Sequence, residues 1–457
     1  VYLSANAFEQ IRSKTSFAFD DMGERHLKNI DRPIRVYSAR AGEPKVGALA
    51  NQLPSEIPKP LPLPDKPSIA VLPFQNMSGD PEQEYFADGM VEDIITALSR
   101  FKSLFVIARN SSFTYKGKAI DTKQVGRDLG VRYVLEGSVR KAGGRVRITG
   151  QLIEAATNRH IWADKFDGAL EDVFALQDQV TSRVVGLIAP HLEQAEIDRA
   201  KQKPTESLDS YDLYLRGMAL ARRGDHAEAR ELFKNAYMLD PEYAAAYTMA
   251  AWTWLTQQAF GGVPLADEMR DDAIKLAYLG SKLGSDDAFV LARCGHVLTY
   301  LGHEYERGLS MVDQAVALNP NLATGWLSRG WVALLCADAG RAIESFDRML
   351  GLSPLDPLRI SAWNGIAFSH FVLGSYQEGC VWARKSHQFA INVHTLGALI
   401  MNAVRAGRVG EAKEAATQLL KLQPTFRASH SLEAFPVRAL QIRERIIAAL
   451  REAGLPE

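Results

Sequence analysis

The sequence predicts a multidomain α/β plus all-α protein, and three observations carry that reading. Six prolines fall between Asn51 and Pro67. Behind them, short β-branched runs alternate with helical patterns and give way to antiparallel strands up to residue 168. From residue 208, small residues and aromatics recur with a period near 34, the step from Pro320 to Pro354.

A length of 457 residues, at roughly 150 per domain, predicts about three folding units. The formal net charge of −1 gives no bulk electrostatic reason to bind nucleic acid or an anionic membrane. No nucleic-acid or membrane partner is therefore expected of the visible chain. Cys294, Cys336 and Cys380 are far apart and form no CxxC pair, which fits a reducing, cytoplasmic compartment. No apolar run approaches the roughly 18 residues needed to cross a bilayer. Because the chain begins with Val1, it reads as the C-terminal portion of something longer, and a leader or anchor could lie upstream.

Residues 1–40 end in "HLKNIDRPIRVYSAR", which reads as the last strand of a domain. Residues 41–66 form a proline-rich linker, an extended spacer of about 3.1 Å per residue. In 67–168, "SIAVLPF" (68–74) reads as a buried strand. Asp80, Pro81 and Gln83 then look like an N-cap, a first-turn proline and a capping-box partner. The helix they open carries Phe86, Met90, Ile94 and Leu98 at spacing four. "LFVIAR" (104–109) is the next strand, and "TKQVGRDLG" a short helix ended by Gly130. Ala142-Gly143-Gly144 makes a hairpin turn, after which Val146, Ile148 and Leu152 alternate with Arg145, Arg147 and Gln151. A connector helix occupies 169–207, with its apolar part from Leu170 to Pro190 and a charged stretch to Pro204.

The repeats fill 208–425. Gly217, Ala229, Phe233 and Pro241 in one copy, which also carries Ala236, correspond to Gly330, Ala342, Phe346 and Pro354 in another, where Trp326 leads. About six copies fit, with an insertion at "FGGVPLADEM" and a capping helix over 426–457. Small residues at the repeated positions let paired helices approach while the aromatic fills the gap. Trp252, Trp254, Trp326, Trp331, Trp363 and Trp382 are expected to pack between repeats, the alternative being a concave peptide-binding face. This 34-residue pattern is that of the tetratricopeptide repeat, which implies a protein or peptide partner.

Chemical motifs are sparse. Cys294 and His296 lack a second metal-ligating pair, so a buried thiol and a packed imidazole are expected. The loop "NMSGDP" lies between a strand and a helix, where open sheets often bind ligands, yet it has no phosphate-loop pattern and reads first as a turn. Arg140, Lys141, Arg145 and Arg147 crowd one hairpin as an ordinary wet face or, alternatively, a phosphate contact.

Two further resemblances bear on function. Residues 1–40 resemble the end of a class III adenylate/guanylate cyclase domain, in which an acidic DxG hairpin leads to a final strand. The matching positions are Ser4, Asp21, Gly23, Leu27, Lys28, Ile30, Pro33, Val36 and Tyr37. That resemblance implies a ferredoxin-like cyclase domain of which only the last strands are retained. It also implies a homodimer with shared sites and Mg or Mn held by upstream aspartates, so no cofactor and no catalytic residue is expected in this chain. Lys28 alone matches a position that contacts the substrate triphosphate, and is otherwise a solvated charge.

Residues 67–168 resemble the TolB-like N-terminal domain through "KPSIAVLPFQNMSGDP", "VIARNSSFTYKG" and "VGRDLGVRYVLEGSVR". Together these imply the regulatory and interaction region of a bacterial cyclase serving intracellular signalling, inactive alone. Cyclic AMP is the first expectation for its product, although the base-reading residues lie upstream. A non-catalytic repeat scaffold or a TolB-like adaptor is the alternative.

Overall fold

The computed structural model describes residues 2–4, 8, 18–25, 33–40, 66–78, 82–118, 121–142, 145–169, 173–203, 208–261, 264–430 and 435–457. The chain divides into two compact units, 1–60 and 61–457.

In the first unit, β1 (Tyr2–Ser4), β2 (Ala18–Arg25) and β3 (Ile34–Arg40) form an antiparallel sheet in the order β1-β3-β2. The DxG element lies inside β2 as a bulge, where the sequence suggested the turn of a hairpin. Pairing with β3 shifts between Asp21 and Glu24, and Gly23 takes φ +71, a left-handed conformation that glycine adopts cheaply. Asp21 accepts from the Gly23 amide at 2.9 Å and from Arg35 Nη2 at 2.7 Å, and the Arg35 contact holds its carboxyl below the usual range. Phe8 stacks on Tyr37 with ring centroids 3.9 Å apart.

The second unit opens with a mixed sheet. β4 (Ser68–Val71), β5 (Gln75–Asn76), β6 (Phe105–Val106), β7 (Tyr133–Ala142), β8 (Arg145–Glu154) and β9 (Arg159–Ala169) run in the order β6-β4-β7-β8-β9, and β5 also pairs β7. β4 is parallel to β6 and β7, while β7, β8 and β9 form an antiparallel meander. One face is covered by α1 (Glu82–Leu98) and α4 (Val173–Gln202); α2 (Arg109–Ser112) and α3 (Thr122–Leu129) come between in the chain. Phe86, Met90, Ile94 and Leu98 are all buried, so the stripe of spacing four is the buried face of α1. Asp80 and Pro81, the expected cap, lie outside the described residues, as do Gly143 and Gly144. α3 ends at Gly130, whose φ of +63 makes a left-handed cap, and its Val125 packs with Ala70, Leu72 and Val134 on the other face.

Within the expected connector, α4 is one helix of 30 residues that runs through Pro190, where the apolar part read from the sequence stops, and on through the charged stretch behind it. A helix-interior proline removes a hydrogen bond and crowds the preceding turn. The next residues offset that loss by burial, since Leu192, Ala195, Ile197 and Ala200 are each under a tenth exposed.

Beyond α4 stand six antiparallel helix pairs. They are α5 (Ser210–Arg223) with α6 (His226–Leu239), α7 (Ala244–Gly261) with α8 (Asp267–Leu283), and α9 (Ala288–Tyr300) with α10 (Tyr305–Leu318). After them come α11 (Ala323–Leu335) with α12 (Ala339–Leu352), α13 (Arg359–Leu373) with α14 (Tyr376–Phe389), and α15 (Val393–Arg405) with α16 (Val409–Leu422). α17 (Leu440–Glu452) closes the chain. The first helices of successive pairs pack on one another and form the inner layer. Phe346 shows why the repeated small residues are needed: a Cβ at Gly330 would lie 2.5 Å from its ring, and one at Gly365 2.3 Å. Phe233 fills the same gap against Gly217.

Candidate functional site

The solenoid's inner layer is the natural place for a partner, and its chemistry begins at α9. Arg293 and His296, three residues apart, share one face of that helix and are both 5% exposed. The Arg293 guanidinium lies 3.9 Å from the centre of the Trp252 ring, and neither its Nε nor its Nη1 has a hydrogen-bond partner among the described residues. Burial draws its pKa down to about 10. The His296 ring meets Trp252 edge-on, and burial, then Arg293 and His394, push its pKa down to about 3, so it is neutral at physiological pH. Cys294 between them is buried against the Thr248 hydroxyl, and burial raises its thiol to about 12. It is inert. Among the described residues no group of three His, Cys, Asp or Glu side chains could hold a metal.

The layer then curls on itself. Phe260 at the end of α7 meets His394 at the start of α15, with rings 5.7 Å apart, so the second and sixth pairs touch. Trp331 sits at the centre, within 6.3 Å of the rings of Phe346, Phe368, His394 and Phe435. Its Nε1 donates to Ser361 Oγ at 3.0 Å. Trp326 donates to the Pro320 carbonyl, while Trp254 carries Arg230 at 3.4 Å. These rings pack within the solenoid. Trp363, which is buried, and Trp382 share Lys385 at 4.4 and 4.7 Å, and Phe389 beside Trp363 is 59% exposed.

What closes the inner layer is the chain's own C-terminal segment. Phe435 and Val437 are buried, Phe435 lies 4.4 Å from the Phe368 ring, and Tyr305 Oη donates to the Pro436 carbonyl at 2.9 Å. Sequence reasoning gave no hint of this contact, because three residues carry no period and the only local signal was the lone "FPV".

In the sheet region, a crevice of about 370 Å³ lies beside the loop after β4, lined by Pro73, Phe74, Asn76, Glu84, Tyr115 and Lys116 among others. This is the neighbourhood of "NMSGDP", of which Gly79 to Pro81 lie outside the described residues. The Lys116 ammonium is 2.7 Å from Glu84 and 2.6 Å from Asp88, so its charge is already matched. Burial, then Asp128, raises Tyr115 to about 12, and it stays protonated. Among the described residues that line the crevice no nucleophile is paired with a base, and Lys118, also in the lining, is exposed. Of the basic hairpin, Arg147 is bound to Asp167 through Nε and Nη2 at 2.6 and 3.0 Å. Lys28 lies outside the described residues.

The junction between sheet and solenoid holds the most buried charge. Glu196 on α4 accepts from Arg132 Nη1 at 3.0 Å, from Tyr133 Oη at 2.6 Å and from Arg199 Nη2 at 3.1 Å. Arg199 also reaches Asp212 of α5 at 3.3 Å, and Lys203 binds the other oxygen of that carboxylate. Both carboxylates are fully buried.

Comparison with known proteins agrees with the repeat architecture. A tetratricopeptide repeat model matches residues 210–243. A model described as the second domain of HilA/YgeH-like transcriptional regulators matches residues 65–183. A protein of Rhizobium meliloti (strain 1021) named "Putative adenylate cyclase 3" is 44% identical over 264 residues, which are 56% of this chain and 43% of that protein. The chain thus spans less than half of that relative's length. Among solved structures, PilF of Pseudomonas aeruginosa overlaps 52% of this chain and 96% of its own at 21% identity and a TM-score of 0.34. A tetratricopeptide repeat protein from Parabacteroides merdae overlaps 53% of this chain and 98% of its own at 15% identity and a TM-score of 0.32. No helix among the described residues is long and apolar enough to cross a membrane.

Proposed function

We propose that this chain is the regulatory and protein-interaction region of a class III adenylate/guanylate cyclase, cytoplasmic and dimeric through its cyclase domain. The observation that carries this reading is the 44% identity to the Rhizobium meliloti protein named as an adenylate cyclase. On this reading, residues 1–40 are the end of the cyclase domain and 41–66 its spacer. Residues 67–168 are a TolB-like domain and 169–207 the connector; 208–425 are the repeats and 426–457 the cap. Mg or Mn binding and base reading belong to the upstream part, with Lys28 contributing to the triphosphate site. The solenoid supplies the contact with a regulating protein, as buried inner layers and exposed helix edges allow.

The test is cyclic nucleotide formation from ATP and from GTP by the N-terminally completed protein, by that protein stopped after Arg40, and by this chain alone. An active completed protein, an inert chain and a changed rate in the truncation are expected. If truncation leaves the rate unchanged, the regulatory role fails; if nothing forms cyclic nucleotide with either metal, the chain is a non-catalytic scaffold.

A further inference from the structure

The segment Phe435–Arg438 is held as a bound peptide would be. Its two apolar side chains and its proline are buried, Phe435 between Trp331 and Phe368 and Val437 with no exposed surface. Its backbone is read by groups of other elements. Tyr305 Oη donates to the Pro436 carbonyl, Arg443 Nε to the Val437 carbonyl, and the Arg438 amide donates to the Leu335 carbonyl at 2.8 Å. That carbonyl belongs to the last turn of α11, where no further helical amide follows to bond it. The Arg438 guanidinium projects outward to Glu306 and lies 5.8 Å from the Tyr305 ring.

The capping helix has its own anchorage. Arg445 on α17 donates to the Phe371 carbonyl at 2.7 Å and to Tyr376 Oη at 3.0 Å, and Arg405 pairs with Glu452. Ile442, Ile446 and Leu450 are buried besides. The cap therefore does not depend on the tetrapeptide in front of it, and the tetrapeptide occupies a cleft with two apolar pockets, a proline seat and an acidic exit.

We propose that this cleft, formed by α11, α13 and Tyr305, is a recognition site for an extended aromatic–proline–aliphatic–basic segment of a partner protein. In the structure it is filled in cis by Phe435–Arg438, and the partner competes by presenting the same pattern. This deepens the interaction role proposed above, but its test needs no cyclase activity, so the two can fail separately. A tethered segment competes at an effective concentration near the millimolar range, so a free peptide binds the intact chain weakly.

The test is a fluorescence-anisotropy titration of a labelled peptide of sequence SLEAFPVRAL, residues 431–440, against the full chain and against the full-length double variant F435A/V437A. Binding to the variant is expected to be at least tenfold tighter than to the wild type, and lost when the peptide carries the same two alanines. R438A, which removes the guanidinium that the cis segment sets against Glu306 and leaves every residue of the cleft in place, loosens the cis segment more mildly. It is expected to raise peptide affinity two- to fivefold and serves if the double variant fails to fold. Equal affinity for all three proteins, or no saturable binding to a folded variant, would overturn the proposal. A wild-type dimer that the peptide dissociates would overturn cis filling in favour of exchange between copies.

Discussion

Phe346 lies between two glycines of successive pairs, and the fit leaves no room for a methyl on either side. G365A or G330A forces the ring or a helix to move, and overpacking of this kind costs about 1–3 kcal/mol. Gly351, on the second helix of the same pair, has open space where a Cβ would stand, with nothing within 4 Å of it, so G351A is expected to stabilise by roughly 0.5–1 kcal/mol through helix propensity alone. Urea unfolding of the three variants checks both signs; a neutral G365A would show that the aromatic does not set the helix spacing. His296 gives a pH-dependent counterpart. Its folded pKa is depressed to about 3 from 6.5, so the folded state prefers the neutral ring. The stability this contributes is complete above pH 6.5 and is lost as pH falls toward 3, at up to about 1.4 kcal/mol per pH unit. H296Q is expected to flatten the fall of stability between about pH 6 and 4 by up to one proton, read from urea midpoints at each pH. The glycine–aromatic spacing was legible because it repeats. The packed His296 was expected because no second metal-ligating pair accompanies it, whereas the burial of Arg293 and of the Phe435 segment was not legible, since it is decided by elements distant in sequence.

At the scale of elements, α4 is the informative case. Its apolar first half was readable from its Val, Leu and Ile content up to Pro190, whereas the role of the charged turns beyond was not, because local sequence says nothing of what those turns touch. In the structure those turns bring Glu196 and Arg199 to the start of β7 and to α5, where they meet Arg132, Tyr133 and Asp212. Breaking a buried ion pair by removing one partner leaves uncompensated charge and costs about 3–5 kcal/mol. E196A is therefore expected to destabilise on that scale, and E196Q, which can still accept from Tyr133 and the arginines, by clearly less. Equal losses in urea unfolding would mean that the pocket's shape, rather than the charge, is what matters. The strands show the same division between local and distant causes. Val146, Ile148 and Leu152 were readable from alternation, whereas of the strand expected over 104–109 only Phe105 and Val106 form β6, the last bond to β4 running from the Ile107 amide to the Ile69 carbonyl before the chain enters α2 at Arg109.

For residues 61–457 as a whole, α4 makes the sheet region and the solenoid a single body. One side of it packs on α1 and the β-sheet through Val180, Val184 and Ile188. Another meets the solenoid, where Ser182 Oγ bonds Asn321 at 3.0 Å and a Cβ on Gly186 would fall 2.3 Å from the Leu352 carbonyl. The Lys102–Asp286 pair adds an exposed surface contact that salt screens. Cooperative unfolding follows from such a shared helix, since neither region can lose α4 without exposing its own core. Hydrogen exchange followed by mass spectrometry in a urea series is expected to show β7, β8 and α11 losing protection together. G186L drives a side chain into the Leu352 carbonyl, which cannot move without displacing the end of α12. In that variant the solenoid and the sheet are expected to lose protection at different urea concentrations. Coincident loss in G186L would show that the Glu196 junction alone couples them, and separate loss already in the wild type would make α4 a linker rather than a strut.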